Sequence, residues 1–313
     1  MKIYVAGHKG MVGSAIVRRI EKDGIHSWIG ASRAELDLTE RASVFNYLGT
    51  NKPDAVVIAA AKVGGIVANQ SFPVDFLSQN LQMQTNLIDA SYVAGIKRLV
   101  FLGSSCIYPK FAGQPILEEY LLTGELEPTN EPYAIAKIAG LKLVQAYRKQ
   151  HGLDWISLMP TNLYGPGDNY DPETSHVIPG MISKFCEAKK NRANSITLWG
   201  SGSPLREFLH VDDLASAVLF SLEEYTGEVA LNVGSGEEVT IKKLAKTIAE
   251  IADFDGEVNW DSSKPDGTPR KFLDSTRIRS LGWKPNHTLR SGLEDTFQEL
   301  PFKCESETLA RIP

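Results

Sequence analysis

The amino-acid sequence predicts an α/β protein built on a doubly wound parallel sheet, with a smaller C-terminal α/β lobe. Three observations carry that prediction. Over the first two thirds of the 313 residues, short apolar runs alternate with longer stretches whose apolar positions recur three or four apart. The short runs are apolar almost throughout, as strands covered by helices on both faces must be. A glycine-rich turn, Gly7-x-x-Gly10-x-x-Gly13, joins the first run to the first helical stretch.

Ile3 to Ala6 is the first strand, ended by the turn at Gly7, and Val12 to Lys22 is the helix that the turn opens. Ser27 to Ala31, Ala55 to Ala60, Leu99 to Gly103 and Trp155 to Met159 are the further strands of the series. Thr39 to Leu48, Val74 to Ala94 and Tyr133 to Gln150 are the helices between them. From Pro166 to Ser203 the chain is rich in Gly, Pro, Asn and Ser, which predicts a loop-bearing segment over the ligand edge of the sheet. "FLHVDDLASAVLFSL" then opens as a short apolar run and continues as a helix, with Asp212 or Asp213 expected to cap it. "VALNVGSG" is a further strand and turn, and Ile241 to Ile251 a helix of the second lobe. The expected division is residues 1–165 plus about 207–235 for a dinucleotide-binding domain, and about 166–206 plus 236–313 for the substrate lobe.

Composition narrows the function. With 42% hydrophobic and 23% charged residues the chain buries a sizeable core. A net charge of −5 with both signs interspersed leaves no extended basic field, so neither nucleic acid nor a membrane surface is an expected partner. A small anionic ligand needs only a few local cations. Cys106, Cys186 and Cys304 are odd in number and lack metal-ligand spacing, which predicts free thiols in a reducing compartment and no metal centre. "MKIYVAGHKG" runs straight into a strand, and no later stretch is long enough to span a bilayer, so a cytoplasmic protein is expected.

Three motifs carry chemistry. In "VAGHKGMVG" the glycines divide the work of a dinucleotide turn: a tight bend, close approach of backbone N–H groups to a pyrophosphate, and close packing of helix on strand. At the end of the second strand, where an NAD site wants an acid for the ribose hydroxyls, stand Ser32 and Arg33. An arginine there suits a 2′-phosphate and favours NADP(H); a solvated surface arginine is the competing explanation. In "EPYAIAK", Tyr133 and Lys137 lie four apart on one helix face, so an ammonium sits beside a phenol and is expected to lower its pKa toward the working range of a proton donor to a ketone. "GSSCIYPK" closes the fourth strand, and if extended geometry persists past Ser104, Cys106 shares its face.

Gly7-x-x-Gly10-x-x-Gly13, Ser104, Tyr133-x-x-x-Lys137, "NLYGP" at 162–166 and "REFLHVDD" at 206–213 together resemble the extended short-chain dehydrogenase/reductases over nearly the whole chain. The resemblance implies a Rossmann-type domain and a nucleotide-sugar substrate held between it and the second lobe. It implies cofactor contacts from Gly7, His8, Lys9, Gly10, Met11, Val12, Gly13, Arg33, Leu102, Gly103, Ser104, Ser105, Lys137, Pro160, Asn162, Leu163 and His176. Ser104 would hydrogen-bond the reacting oxygen, Tyr133 would be the acid, and Lys137 would bind the nicotinamide ribose.

Cys106 selects the branch. Dehydratases of the superfamily carry an Asp-Glu pair here and 4-epimerases a small residue or threonine, whereas "SSCIYPK", "AAAKVGGI", "PTNLYGPGDNYD" and "SHVIPG" are similar to the epimerase-reductases that take GDP-4-keto-6-deoxy-D-mannose to GDP-L-fucose. A C4 ketone acidifies the hydrogens on C3 and C5, and inverting those centres needs a base on one side and an acid on the other. A thiol, unperturbed near pKa ~8.5, suits the base, and the imidazole of His176, near ~6.5, matches the family's acid. A buried inert thiol and a loop histidine bonded to backbone are the alternatives.

The resemblance further implies that Lys184 and Arg206 meet the diphosphate, Trp199 packs on the nucleotide or sugar, Asn162 touches the sugar, and Asp266 and Arg270 lie at the nucleotide end. Each also suits a solvated helix face, a core aromatic, a surface ion pair or a turn. A homodimer paired through Val74 to Ala94 and Tyr133 to Gln150 is implied as well. The tail after Leu300 matches nothing in the family, so Cys304 is expected to be incidental. A simple 4-ketoreductase or 4-epimerase, or a catalytically dead dinucleotide sensor, are the rival functions.

Overall fold

The computed structural model describes residues 1–171, 174–264, 266–302 and 304. Strands β1 (Lys2–Ala6), β2 (Ser27–Ile29), β3 (Ala55–Ile58), β4 (Arg98–Leu102) and β5 (Asp154–Pro160) alternate with helices α1 (Met11–Asp23), α2 (Arg41–Asn51), α3 (Ile66–Ser71), α4 (Pro73–Val93) and α5 (Glu131–His151). After them come β6 (Asn162–Tyr164), α6 (Val177–Lys190), β7 (Ser195–Trp199), β8 (Leu205–His210), α7 (Val211–Glu224) and β9 (Leu231–Val233). The described chain closes with β10 (Glu238–Thr240), α8 (Ile241–Ala252), β11 (Glu257–Asp261), β12 (Arg270–Lys271), α9 (Thr276–Ser280) and α10 (Leu289–Gln298).

The main sheet is six-stranded, ordered β2-β1-β3-β4-β5-β9 and parallel throughout. Its strands are apolar on both faces because each face is covered. Ile3, Val5, Val57 and Val100 pack toward Ile16, Ile20, Leu214 and Val218 of α1 and α7, whereas Tyr4, Val56, Leu99 and Trp155 pack toward Leu48, Leu87 and Leu141 on the other side. The chain leaves β1 toward β2 on one side and returns to β3 on the other, so the carboxyl ends of β1 and β3 form a topological switch point, the place where such sheets take ligands. Gly24 and Gly152, with φ of 65° and 66°, end α1 and α5 in the left-handed conformation that glycine adopts at little cost.

A second, four-stranded sheet joins β10, β8 and β12 with β6 paired to β8, and β7 pairs with β11 beside it. Its core is separate, formed by Ile178, Ile182, Phe185, Leu244, Ile248 and Leu293 from α6, α8 and α10. The stretch expected to be loop from Pro166 to Ser203 therefore contains α6 and β7. Its turn-forming residues are confined to the ends, and Pro179 and Gly180 fall in the first turn of α6, where a missing N–H is tolerated. The cap of α7 is also not an aspartate: His210 accepts from the Asp212 N–H through Nδ1, and both aspartates lie in the first turn. Asp213, 1% exposed, instead accepts from the backbone N–H groups of Asn286 and His287 and pins the approach to α10 against α7.

Cys304 is not incidental, and the odd cysteine count conceals a pair: Cys304 is disulfide-bonded to Cys186 in the middle of α6, leaving Cys106 as the free cysteine. Phe302, two residues earlier, packs its edge on Tyr170 at 5.3 Å. The bond closes a sequence separation of 118 residues. A loop of that order removes conformational freedom from the unfolded chain worth about 2–5 kcal/mol. Cys304→Ser is expected to lose that amount in denaturant titration under oxidising conditions and to match the parent once both are reduced; equal stability in both conditions would show that the bond contributes nothing.

Candidate active site

The glycine turn at the switch point is built as a phosphate cradle. Gly7 has φ +86°, and a Cβ there would lie 2.8 Å from the Ala60 backbone, where the chain leaves β3. A Cβ on Gly13 would fall 2.1 Å from the Gly7 carbonyl oxygen, so only glycine lets α1 approach the turn this closely. Gly10 caps α1 without a side-chain partner and no acid occupies the first turn, so the leading N–H groups of a 13-residue helix face outward for an anion. Beyond the turn, His8 packs against Trp28 with ring centroids 5.7 Å apart, and its buried Nδ1 has no hydrogen-bond partner. Lys9 and the exposed Arg33 add positive charge at the end of β2. Glu35, the nearby acid, is engaged by the Ser32 N–H at 2.7 Å and the Ser32 hydroxyl at 2.6 Å. An orphaned polar atom, a cradle that any Cβ would fill and two cations fit a dinucleotide carrying a 2′-phosphate.

At the end of β4 the strand geometry stops at Ser104, and Ser105–Ile107 turns as a short 3₁₀ helix. Cys106 therefore does not share a strand face with Ser104. The turn brings it back instead, its N–H donating to the Ser104 hydroxyl at 3.2 Å. From α5, whose Pro132 sits in the first turn, Tyr133 and Lys137 approach the same point one helical turn apart. The Ser104 hydroxyl hydrogen-bonds the Tyr133 phenol, and Cys106 lies close enough to act on it electrostatically. Lys137, 3% exposed, donates from Nζ to the Leu102 carbonyl at 2.8 Å and stands 5.9 Å from the Tyr133 ring centroid.

Burial decides the charge states here. It pulls Lys137 down to about 8 and pushes the Tyr133 phenol above its ordinary value. The expected lowering of the phenol is thus overturned: loss of solvation, with the neighbouring Cys106, outweighs the hydrogen bond to Ser104, and Tyr133 stands as a protonated donor. His176 caps α6, and although its side chain keeps solvent access, partial desolvation disfavours the imidazolium and lowers its pKa. Its loop is tied to the dinucleotide side by the Gly65 N–H, which donates to the Thr174 carbonyl at 3.1 Å, and a Cβ on Gly65 would strike the Ser175 carbonyl at 2.8 Å.

Residues 3–234 match the NAD dependent epimerase/dehydratase family. The chain belongs to that family. Among its relatives, GDP-L-fucose synthase 1 of Arabidopsis thaliana is 58% identical over 296 residues, covering 95% of this chain and 92% of that protein. GDP-L-fucose synthase of Escherichia coli strain K12 is 50% identical over 306 residues, 95% of each chain. A GDP-L-fucose synthetase from Naegleria fowleri, solved with NADP bound, superposes with a TM-score of 0.88 at 29% identity, covering 95% of this chain and 93% of that one.

In this epimerase/dehydratase family member the remaining candidates are brought together only in pairs, Trp199 with Lys184 and Arg206 with Asp266, while Asn162 and Arg270 are each engaged elsewhere. Trp199 is 61% exposed on β7, with the ammonium groups of Lys184 and Lys264 at 5.7 and 5.5 Å from its ring. Asp266 accepts from the N–H and hydroxyl of Ser201, and Arg206, whose charge it faces, is held low by burial. Asn162 donates to the Glu207 carbonyl at 2.8 Å, while both arms of the Arg270 fork are taken by Glu238 at 2.7 Å. One residue beside the site belongs to none of the sequence motifs. Lys271 on β12 reaches Cys106, Nζ to Sγ 3.5 Å, across 165 residues of sequence. "TPRK" carries no local signal of this, because the contact exists only once β12 pairs with β8.

Proposed function

We propose that this protein is an NADPH-dependent 3,5-epimerase and 4-reductase converting GDP-4-keto-6-deoxy-D-mannose to GDP-L-fucose. One observation carries the proposal beyond simple ketone reduction: a free thiol, Cys106, stands beside the Ser104–Tyr133–Lys137 group with the Lys271 ammonium 3.5 Å from its sulfur. A plain reductase has no use for a base at that point.

With the C4 oxygen in reach of Ser104 and Tyr133, both hydroxyls donate to it and stabilise the charge that develops when C3 or C5 loses its proton. Cys106 Sγ takes that proton as a thiolate, with Lys271 as the adjacent cation. His176, in the imidazolium form that its lowered pKa makes a stronger acid, returns a proton to the opposite face and completes inversion, and proton exchange with solvent restores both groups for the second centre. The Gly7–Gly13 turn holds the cofactor pyrophosphate, with Lys9 and Arg33 toward the 2′-phosphate. When bound, NADPH supplies a hydride to C4. Tyr133 passes its phenolic proton to the C4 oxygen, and Lys137 stabilises the phenolate left behind. Lys184, Arg206 and Trp199 take the diphosphate and base.

A homodimer is part of the proposal, supported by apolar side chains exposed on the paired helices α4 and α5: Val74, Tyr92, Val93 and Ile135. So is a cytoplasmic location, supported by the absence of any helix long and apolar enough to cross a membrane among the described residues. There the Cys186–Cys304 pair stands as disulfide or dithiol according to the local redox poise.

The test is incubation with GDP-4-keto-6-deoxymannose in heavy water, with and without NADPH, following nicotinamide absorbance and deuterium at C3 and C5. Deuterium at both carbons with NADPH consumption is the expected result. Consumption without deuterium at either carbon would leave a plain ketoreductase.

A further inference from the structure

Glu207, between Arg206 and Phe208 on β8, is fully buried, yet the chemistry above gives it no task. The residue is surrounded by donors from three separate segments. Oε1 accepts from the Gly236 N–H at 2.7 Å and Oε2 from the Leu273 N–H at 3.1 Å, while the Thr161 hydroxyl donates to the Glu207 backbone carbonyl at 3.3 Å. Gly234 makes room for it, since a Cβ there would lie 2.4 Å from Oε1. The Glu207 carbonyl accepts in turn from the Asn162 side chain at 2.8 Å. Removing a carboxylate from water is costly unless hydrogen bonds compensate; two backbone donors do so in part, and burial still holds its pKa above the ordinary carboxylate value.

The residue type follows from the donors. Two backbone N–H groups point at the two oxygens of the same side chain, one at each, so only a group that accepts at both positions satisfies them. A glutamine would turn an NH2 toward one N–H. The three segments are also the ones that build the site: Thr161 follows β5, Gly236 follows β9, and Leu273 follows β12 by two residues. Lys271 pairs in register with Arg206, the residue before Glu207.

We infer that Glu207 is a positioning residue: it knots β8 to the ends of β5, β9 and β12, and so sets the Lys271 ammonium against the Cys106 thiol. Its effect on the reaction rests on the function proposed above, but its effect on the thiol does not. Cys186 and Cys304 are bonded to each other, so alkylation by iodoacetamide reads Cys106, the remaining one of three cysteines, in the full-length protein. Separating Lys271 from Cys106 removes the donor that stands 3.5 Å from the sulfur, and the alkylation rate reads that change.

In Glu207→Gln, alkylation of Cys106 is expected to slow fivefold or more while the NADPH Kd stays within twofold of the parent. Deuterium exchange at C3 and C5 is expected to fall at least tenfold in kcat, with a smaller change in KM. Lys271→Met should slow alkylation to a similar degree, and the double variant should be no slower than the slower single. Should Glu207→Gln fail to fold, the isosteric Thr161→Val removes the hydroxyl that ties the Glu207 carbonyl to the end of β5 and is expected to slow alkylation at least twofold. Unchanged alkylation in whichever variant is read, or full additivity with Lys271→Met, would overturn the inference. If alkylation slows as expected while the parent shows no exchange at C3 and C5, Glu207 stands and the proposed reaction falls.

Discussion

Replacing Cys106 by serine is expected to lower deuterium exchange at C3 and C5 by about 10²–10⁴, the range a positioned general base contributes. In the proposed reaction the thiol that the 3₁₀ turn brings beside the Ser104–Tyr133 pair is the base, and a serine hydroxyl in its place does not ionise near neutral pH. Hydride transfer draws on other atoms. Ser104, Tyr133 and Lys137 keep their contacts in the variant, so NADPH binding should be unchanged, and the unepimerised ketone should still be reduced to a C4 alcohol with the wrong configuration at C3 and C5. Mass spectrometry of the product in heavy water, read beside nicotinamide absorbance, separates the two activities. Full exchange in Cys106→Ser would return the cysteine to the inert thiols.

Tyr133→Phe is expected to show the opposite split. It removes the proton donor to the C4 oxygen and should cut NADPH oxidation by about 10²–10⁴, with exchange at C3 and C5 reduced less because Ser104 still donates to the same oxygen. The pH dependence adds a second reading. Burial pulls Lys137 down to about 8, so its ammonium is intact below that pH and lost as the pH rises through it. Reduction by the parent enzyme should therefore decline above pH about 8, and Lys137→Met should be slow at all pH values and lack that limb. A Tyr133→Phe enzyme oxidising NADPH at the parent rate would place the acid elsewhere.

The parallel sheet was legible because its causes are local. Near-continuous apolar runs such as Ala55–Ile58 and Leu99–Leu102 can only be satisfied with both faces covered, and the turn at Gly7 marks where the first helix must start. Helix α6 was hidden by the turn-forming residues on either side of it, although Ile178, Met181, Ile182 and Phe185 carry the helical spacing. Residue type points to the aspartates as the cap of α7, whereas the chain enters that helix two to three residues earlier, at His210.

By itself the sequence determined the dinucleotide turn, the Tyr133–Lys137 pair and the thiol three residues beyond Gly103, since each depends on backbone conformation over a few residues. Only the tertiary structure decided what surrounds them. Lys271 meets Cys106 across 165 residues, Cys186 meets Cys304 across 118, and Glu207 gathers donors from three segments. It also reversed the expected direction at Tyr133, because the cost of burying a phenolate is set by everything packed around the ring and not by the lysine four residues on. Spacing along the chain fixes periodicity and turn geometry; desolvation and contacts between distant segments exist only once the two sheets have closed on each other.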